Sequence, residues 1–130
     1  MAIKINKTPV KGYKYIFQSE REVENPFTVW VKPLQTRDLL DLEDRMVQRQ
    51  GEDVFIAQGV FSFRVAQQGI LAWENINDDK DKALKLQITD GLAEEDSIAN
   101  IPADFITEVS SVINAITRDP SSIQIFFGTD

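Results

Sequence analysis

The chain has 130 residues, 42% of them hydrophobic, and its 21 acidic against 14 basic side chains give a net charge of −7. That is the length of one domain with apolar material for a modest core, and the charge excludes nucleic-acid binding through a generally basic surface. Cysteine and histidine are both absent, which excludes disulfides, thiolate chemistry and Ser-His pairs and leaves only carboxylates to build a zinc site.

Charge is unevenly spread. Residues 1–35 hold six basic side chains (Lys4, Lys7, Lys11, Lys14, Arg21, Lys32) against three acidic ones (Glu20, Glu22, Glu24), so the excess of negative charge falls in the remainder. Such asymmetry suits head-to-tail contact between copies or a basic partner for the acidic part, and equally an ordinary solvated surface. Met1-Ala2-Ile3-Lys4 is followed by polar residues rather than an apolar run, and no stretch approaches the ~18 apolar residues of a membrane span. A soluble, unexported protein with no membrane partner is expected.

Residues 1–12, with Lys4, Lys7, Pro9, Lys11 and Gly12, lack a sustained period and are expected to form an extended arm. Tyr13, Tyr15 and Phe17 then alternate with Lys14 and Ile16, and Phe27, Val29 and Val31 alternate with Thr28, Trp30 and Lys32. Period two in β-rich composition predicts two strands. The charged connection from Ser19 ends in Asn25-Pro26, a turn signal, so the pair reads as a hairpin with a broad loop. Pro33 closes the second strand, and Thr36 is placed to cap a helix with Asp38 in its first turn, Leu39, Leu42 and Met46 on one face, and Gly51 at its end.

Asp53 is then expected to cap a central helix with Ile56, Val60, Phe63, Ile70 and Trp73 near one stripe. Gly59 and Gly69 each weaken a helix by about 1 kcal/mol relative to alanine, so they mark close packing or bends. Asn75 to Lys82 reads as a polar loop. Leu84, Leu86 and Ile88 alternate as in a strand, which is the reading favoured for residues 83–89, and Glu94-Glu95-Asp96 reads as an acidic loop. Pro102 suits the first position of a third helix, whose apolar face carries Phe105, Val109, Val112 and Ile116 with Ile106 and Ile113 beside them, and which should end near Asp119-Pro120. Ile123-Gln124-Ile125-Phe126-Phe127 either packs as a short strand or stays free for another chain. The expected fold is one α+β domain spanning residues 1–130, an N-terminal β-hairpin packed on a bundle of about three α-helices, with an optional short C-terminal strand.

Few residue patterns carry chemistry. Read as a calcium loop from Asn75, the acidic stretch has Lys80 at the sixth position and Leu86 at the twelfth, so both the sharp turn and the bidentate ligand are missing. Asp38 and Asp41 are spaced as on an exposed helix face, and Gly51, Gly59 and Gly69 are too far apart to cradle phosphate. Neither an enzyme nor a cofactor protein is expected. Trp30 and Trp73 stand out, since tryptophan serves either in core packing or as an interface anchor, and Trp73-Glu74-Asn75 joins an aromatic to polar neighbours.

The order Ser19-Glu20-Arg21-Glu22, Asn25-Pro26, a strand ending Lys32-Pro33-Leu34, a helix with Arg37-Asp38, then Leu71-Ala72-Trp73-Glu74-Asn75 and Ile101-Pro102 resembles small tail assembly chaperones of long-tailed bacteriophages. The likeness spans roughly residues 15–120 and departs where many relatives have a glycine after the Trp-Glu-Asn loop, here Lys80-Asp81-Lys82. It implies a non-enzymatic late protein of the host cell cytoplasm that binds the tape-measure protein, helps recruit tail-tube protein, and is absent from the finished particle. It also implies a longer form made by ribosomal frameshifting, for which Ile125-Phe126-Phe127 would be a site. Partner-binding residues are expected among Phe27, Trp30, Trp73, Glu74, Asn75, Ile125, Phe126 and Phe127, with self-association as a further option. The alternative is a virion structural protein, a head–tail connector or tail component, held by intersubunit contacts.

Overall fold

The computed structural model describes residues 12–50, 53–56 and 58–127, with backbone alone at 46–50, 53–56 and 58. Apart from Gly12, the expected arm lies outside them. Strand β1 (Tyr13–Ile16) pairs antiparallel with β2 (Thr28–Val31) in the register Tyr13↔Val31 to Ile16↔Thr28. Alternation then sends Tyr15, Phe17, Phe27, Val29 and Val31 to one side, where all five are buried, and leaves Lys14 and Trp30 on the other. The charged connection is not loose. It holds one 3-10 turn at Gln18–Glu20, the Glu20 carboxylate accepts the Phe27 N–H at 3.0 Å, and Arg21 Nε donates to the Ile16 carbonyl at 3.0 Å.

Helix α1 (Thr36–Met46) starts at Thr36 itself and buries Leu39 and Leu42, as its spacing predicts. Later in the chain, α4 (Ala103–Arg118) buries Val109, Val112, Ile113 and Ile116, the i, i+3, i+4, i+7 stripe of an amphipathic helix. Pro102 sits one residue before it, and Asp119 ends it. The sheet's buried side meets α4 through aromatic rings, with Phe17 against Phe27 at 4.8 Å and against Phe105 at 4.5 Å between centroids. Thr117 joins the helix to the chain after β2: its hydroxyl accepts the Leu34 N–H at 2.9 Å and donates to the Ile113 carbonyl at 2.6 Å, all buried. Thr117→Val keeps the shape but strands the Leu34 N–H. It should cost about 1–3 kcal/mol in urea unfolding, whereas Thr117→Ser should cost clearly less.

Between these elements the structure corrects several expectations. The first helix does not run to Gly51 and Asp53 caps nothing, because Val47–Gln50 (β3) and Asp53–Ile56 (β4) pair as an antiparallel hairpin, Val47↔Ile56 to Gln50↔Asp53. Valine, isoleucine and phenylalanine favour strands, and a glycine between two runs signals a hairpin turn as well as a helix stop. Helix α2 therefore spans only Gln58–Gly69, and its buried stripe is Phe61, Val65 and Ala66. Val60 is exposed, Phe63 is half-buried, and Ile70 and Trp73 are not in the helix. They belong to strand β5 (Ile70–Glu74), which pairs antiparallel with β2, giving a sheet of order β1-β2-β5 with a register shift between Trp30 and Val31.

Residues 83–87 are not a strand: Ala83 makes one isolated bridge to Asn77, and regular pairing is confined to β6 (Ile88–Thr89) and β7 (Leu92–Ala93). Asp90 and Gly91 connect these at φ 55° and 81°, the paired left-handed conformation of a tight hairpin turn that Asp-Gly favours. Glu95–Ile98 forms a short helix, α3, where an acidic loop is expected. Arg64 of α2 hydrogen-bonds Glu95 at 3.0 Å, tying α3 to the central helix. Ser122–Phe127 is a short helix, α5, rather than a strand. The architecture is mixed α+β, with the N-terminal hairpin packed on helices as the sequence leads one to expect.

Candidate functional site

Two apolar surfaces lie at opposite edges of the β1-β2-β5 sheet. At one edge, pairing of Trp73 with Val29 puts its ring on the buried side, edge-on to Phe27 at 6.4 Å, with the indole N–H donating to the Leu84 carbonyl at 2.9 Å. Trp73 is thus half-buried and its one polar atom is satisfied. Beyond it the chain turns at Asn75, whose φ of 68° is stabilised by its side-chain amide donating to the Pro26 carbonyl at 3.0 Å. Residues 76–84 then close on themselves. The Leu84 N–H donates to the Ile76 carbonyl, and Asp78 accepts the backbone N–H groups of Lys80 and Lys82 at 2.8 and 2.9 Å. This turn is built by an aspartate capping backbone donors, and Asp81 within it takes φ 63°, a left-handed conformation that aspartate tolerates in place of glycine. An open groove of about 400 Å³ remains between β5 and residues 84–87, lined by Leu71, Ala72, Trp73, Leu84, Leu86 and their polar neighbours.

At the other edge, α5 packs on β1: the Phe127 ring stacks on Tyr13 at 5.1 Å and meets Tyr15 edge-on at 6.3 Å. Phe127 is half-buried by this contact, while Phe126 is 37% and Ile125 79% exposed. A cavity of about 330 Å³ lies between Phe126, Phe127, Lys14 and Arg21. Beneath it, the Tyr15 hydroxyl donates to Glu108 at 2.5 Å and the Gln18 N–H donates to the same carboxylate oxygen at 2.9 Å, fastening β1 to α4. Sequence spacing gives no sign of this pair, since the partners are 93 residues apart.

Burial, followed by the Glu108 carboxylate, pushes the Tyr15 hydroxyl from its ordinary 10.0 up to about 12. A proton held more tightly in the folded chain stabilises it fully below about pH 10, and that contribution disappears as pH rises towards about 12. Alkaline unfolding should therefore separate the parent from Tyr15→Phe: the parent should lose stability more steeply over that interval, with the difference between the two largest below it.

The residues expected to bind a partner are divided by the fold. Phe27 is 3% exposed and belongs to the core, so it is not a contact residue on the surface. Its place in the buried alternation of β2 explains this. Trp30 is half-buried on the sheet's outer side, opposite Ala72 and 6.0 Å from the Lys14 ammonium. Glu74 and Asn75 are exposed beside Trp73, and Ile125, Phe126 and Phe127 are gathered across the sheet from them. Leu84 and Leu86, which form the groove's far wall, are the contributors that sequence reasoning missed as a surface. Their alternation was the available signal, read as a strand's. Among the described residues no three carboxylates converge on one point, and no helix is long and apolar enough to cross a membrane. Comparison of the chain with protein-family models, curated proteins and solved structures gives no match.

Proposed function

We propose that this chain is a non-enzymatic holding protein of bacteriophage tail assembly, which covers apolar segments of the tape-measure protein and promotes recruitment of tail-tube subunits. The phage assignment comes from the ordered resemblance between Ser19 and Pro102. The observation that supports binding is the pair of apolar surfaces, the Trp73 groove and the α5 face with Ile125 and Phe126, set in an otherwise acidic chain. Exposed apolar surface gives affinity for apolar segments, and a net charge of −7 keeps a complex dispersed. Binding in this way stabilises whichever partner state is held and needs no reaction.

Co-expression with the tape-measure protein of the same tail module tests the reading. A soluble complex is expected where the tape-measure protein alone precipitates, and precipitation in the presence of excess chain would count against a holding role. Ile125→Glu places a charge on the most exposed large apolar side chain described and should weaken the complex without altering the unfolding free energy by more than about 0.5 kcal/mol.

A further inference from the structure

We infer that the free edge of β5 is a docking edge, which takes up an extended, net basic segment of a partner protein as a fourth strand of the sheet. The inference rests on the protein-binding reading above and deepens it by naming the surface and the occupant's chemistry. The order β1-β2-β5 leaves β5 paired on one side only, and among the described residues no backbone group hydrogen-bonds to its other side. Unpaired N–H and C=O groups in a row are a template for another strand. The opposite sheet edge differs, because α5 packs on β1 there.

What stands in front of β5 is a neighbour that does not pair with it. Residues 84–87 direct their backbone groups elsewhere: the Leu84 N–H to Ile76, the Gln87 N–H and the Lys85 carbonyl to the Ser97 hydroxyl, and the Gln87 carbonyl to the Glu94 N–H. Among the described residues, the one hydrogen bond across the groove is the indole of Trp73 to Leu84. A strand seated on β5 would place alternate side chains over Trp73, Leu84 and Leu86, which favours apolar residues there, and the intervening ones beside Ala72 and Trp30.

Charge selects among such strands. Glu74 closes one end of β5 and is followed by Asp78, Asp79 and Asp81 with Lys80 and Lys82 among them, while Glu94, bonded to Gln87, stands at the other end with Asp90 and with Glu95, which is paired with Arg64, so that acidic groups exceed basic ones around the groove. Among the described residues, Lys85 is the single cation lining the groove. Basic side chains at the terminal positions of the occupant complement this frame.

The full chain, titrated with a capped ten-residue peptide of alternating valine and lysine and followed by NMR, tests the inference. Exchange of those amides within Leu71–Trp73 that point away from β2 should slow on binding. N-methylation of alternate peptide residues in one phase should weaken binding by about tenfold or more, the loss of roughly one hydrogen bond, and in the other phase should do little. Replacing lysine by glutamate should also weaken it. Equal affinity for both methylated phases, shifts centred on Ile125 to Phe127, or a glutamate peptide that binds as well would each overturn the inference. So would protection, in the free chain, of the Leu71–Trp73 amides that point away from β2, whether by a second copy or by another part of the same chain. A chain that takes the peptide at β5 but fails to hold the tape-measure protein would sink the assembly role alone. One that holds the tape-measure protein but gives no phase dependence would sink the docking edge alone.

Discussion

Phe17→Ala is expected to destabilise the chain by about 3–5 kcal/mol, the largest effect of any single truncation considered. Phe17 is wholly buried and touches three aromatic neighbours: Phe27 stacked at 4.8 Å, Phe105 at 4.5 Å and Tyr15 edge-on at 5.6 Å. Removing it loses both the transferred apolar area and the ring contacts that join the hairpin to α4. Neighbouring rings cannot collapse into the space easily, since Phe27 is held by its backbone bond to Glu20 and Phe105 by the start of α4. Urea denaturation should show a lower midpoint with an unchanged slope. A loss below about 1 kcal/mol would mean that the aromatic cluster is not the joint between sheet and helices.

The second large effect concerns the crossing of α2 and α4. A Cβ built on Gly69 would lie 2.5 Å from Ile113 Cδ1, 2.9 Å from Cγ2 and 3.0 Å from Cγ1. Ile113 is fully buried, so these three atoms have nowhere to move together. Helix propensity alone favours alanine over glycine by up to about 1 kcal/mol, but overpacking a filled core costs about 1–3 kcal/mol. The clash should prevail: Gly69→Ala is expected to destabilise by roughly 1–2 kcal/mol and Gly69→Val by more. Ile113→Val removes the nearest atom, so the double variant Gly69→Ala, Ile113→Val should be more stable than the sum of its single changes by about 0.5 kcal/mol or more. A stabilising Gly69→Ala would show that the helices pack further apart than described. Gly59, with nothing near its Cβ position, should tolerate alanine.

These two sites show where sequence pattern reaches and where it stops. The hairpin and the α4 stripe are readable because each has one buried face whose period repeats over several residues, in Tyr13, Tyr15 and Phe17 or in Val109, Val112, Ile113 and Ile116. Val60, Phe63, Ile70 and Trp73 fall close to a helical stripe, which predicts Trp73 at the end of a helix. The helix ends instead at Gly69, where α4 is too close for a side chain, and Ile70 to Glu74 then pair with β2 across about forty residues of sequence. No local signal carries that pairing. The Asp90-Gly91 hairpin is legible, by contrast, since that dipeptide between short apolar runs is a strong turn signal, whereas the alternation of Leu84, Leu86 and Ile88 predicts a strand over residues 83–89.

The candidate site was legible in part. Of Trp73, Glu74 and Asn75, Trp73 lines an open groove, and the groove's other wall comes from Leu84 and Leu86, brought there by a turn that Asp78 organises. Phe27 could not be told from a surface aromatic because alternation gives two faces without saying which is buried. The segment Ser19 to Leu34, most informative as a family resemblance, turns out physically to be a latch: Glu20 and Arg21 close the hairpin, and Leu34 is anchored on Thr117.

The proposed role in assembly, rather than in the finished particle, is tested most directly by quantitative mass spectrometry of tail intermediates and purified virions from one infection. The proposal predicts the chain in intermediates, in complex with the tape-measure protein, and its loss from mature particles. Stoichiometric copies in mature virions would contradict it and favour a structural component of the tail.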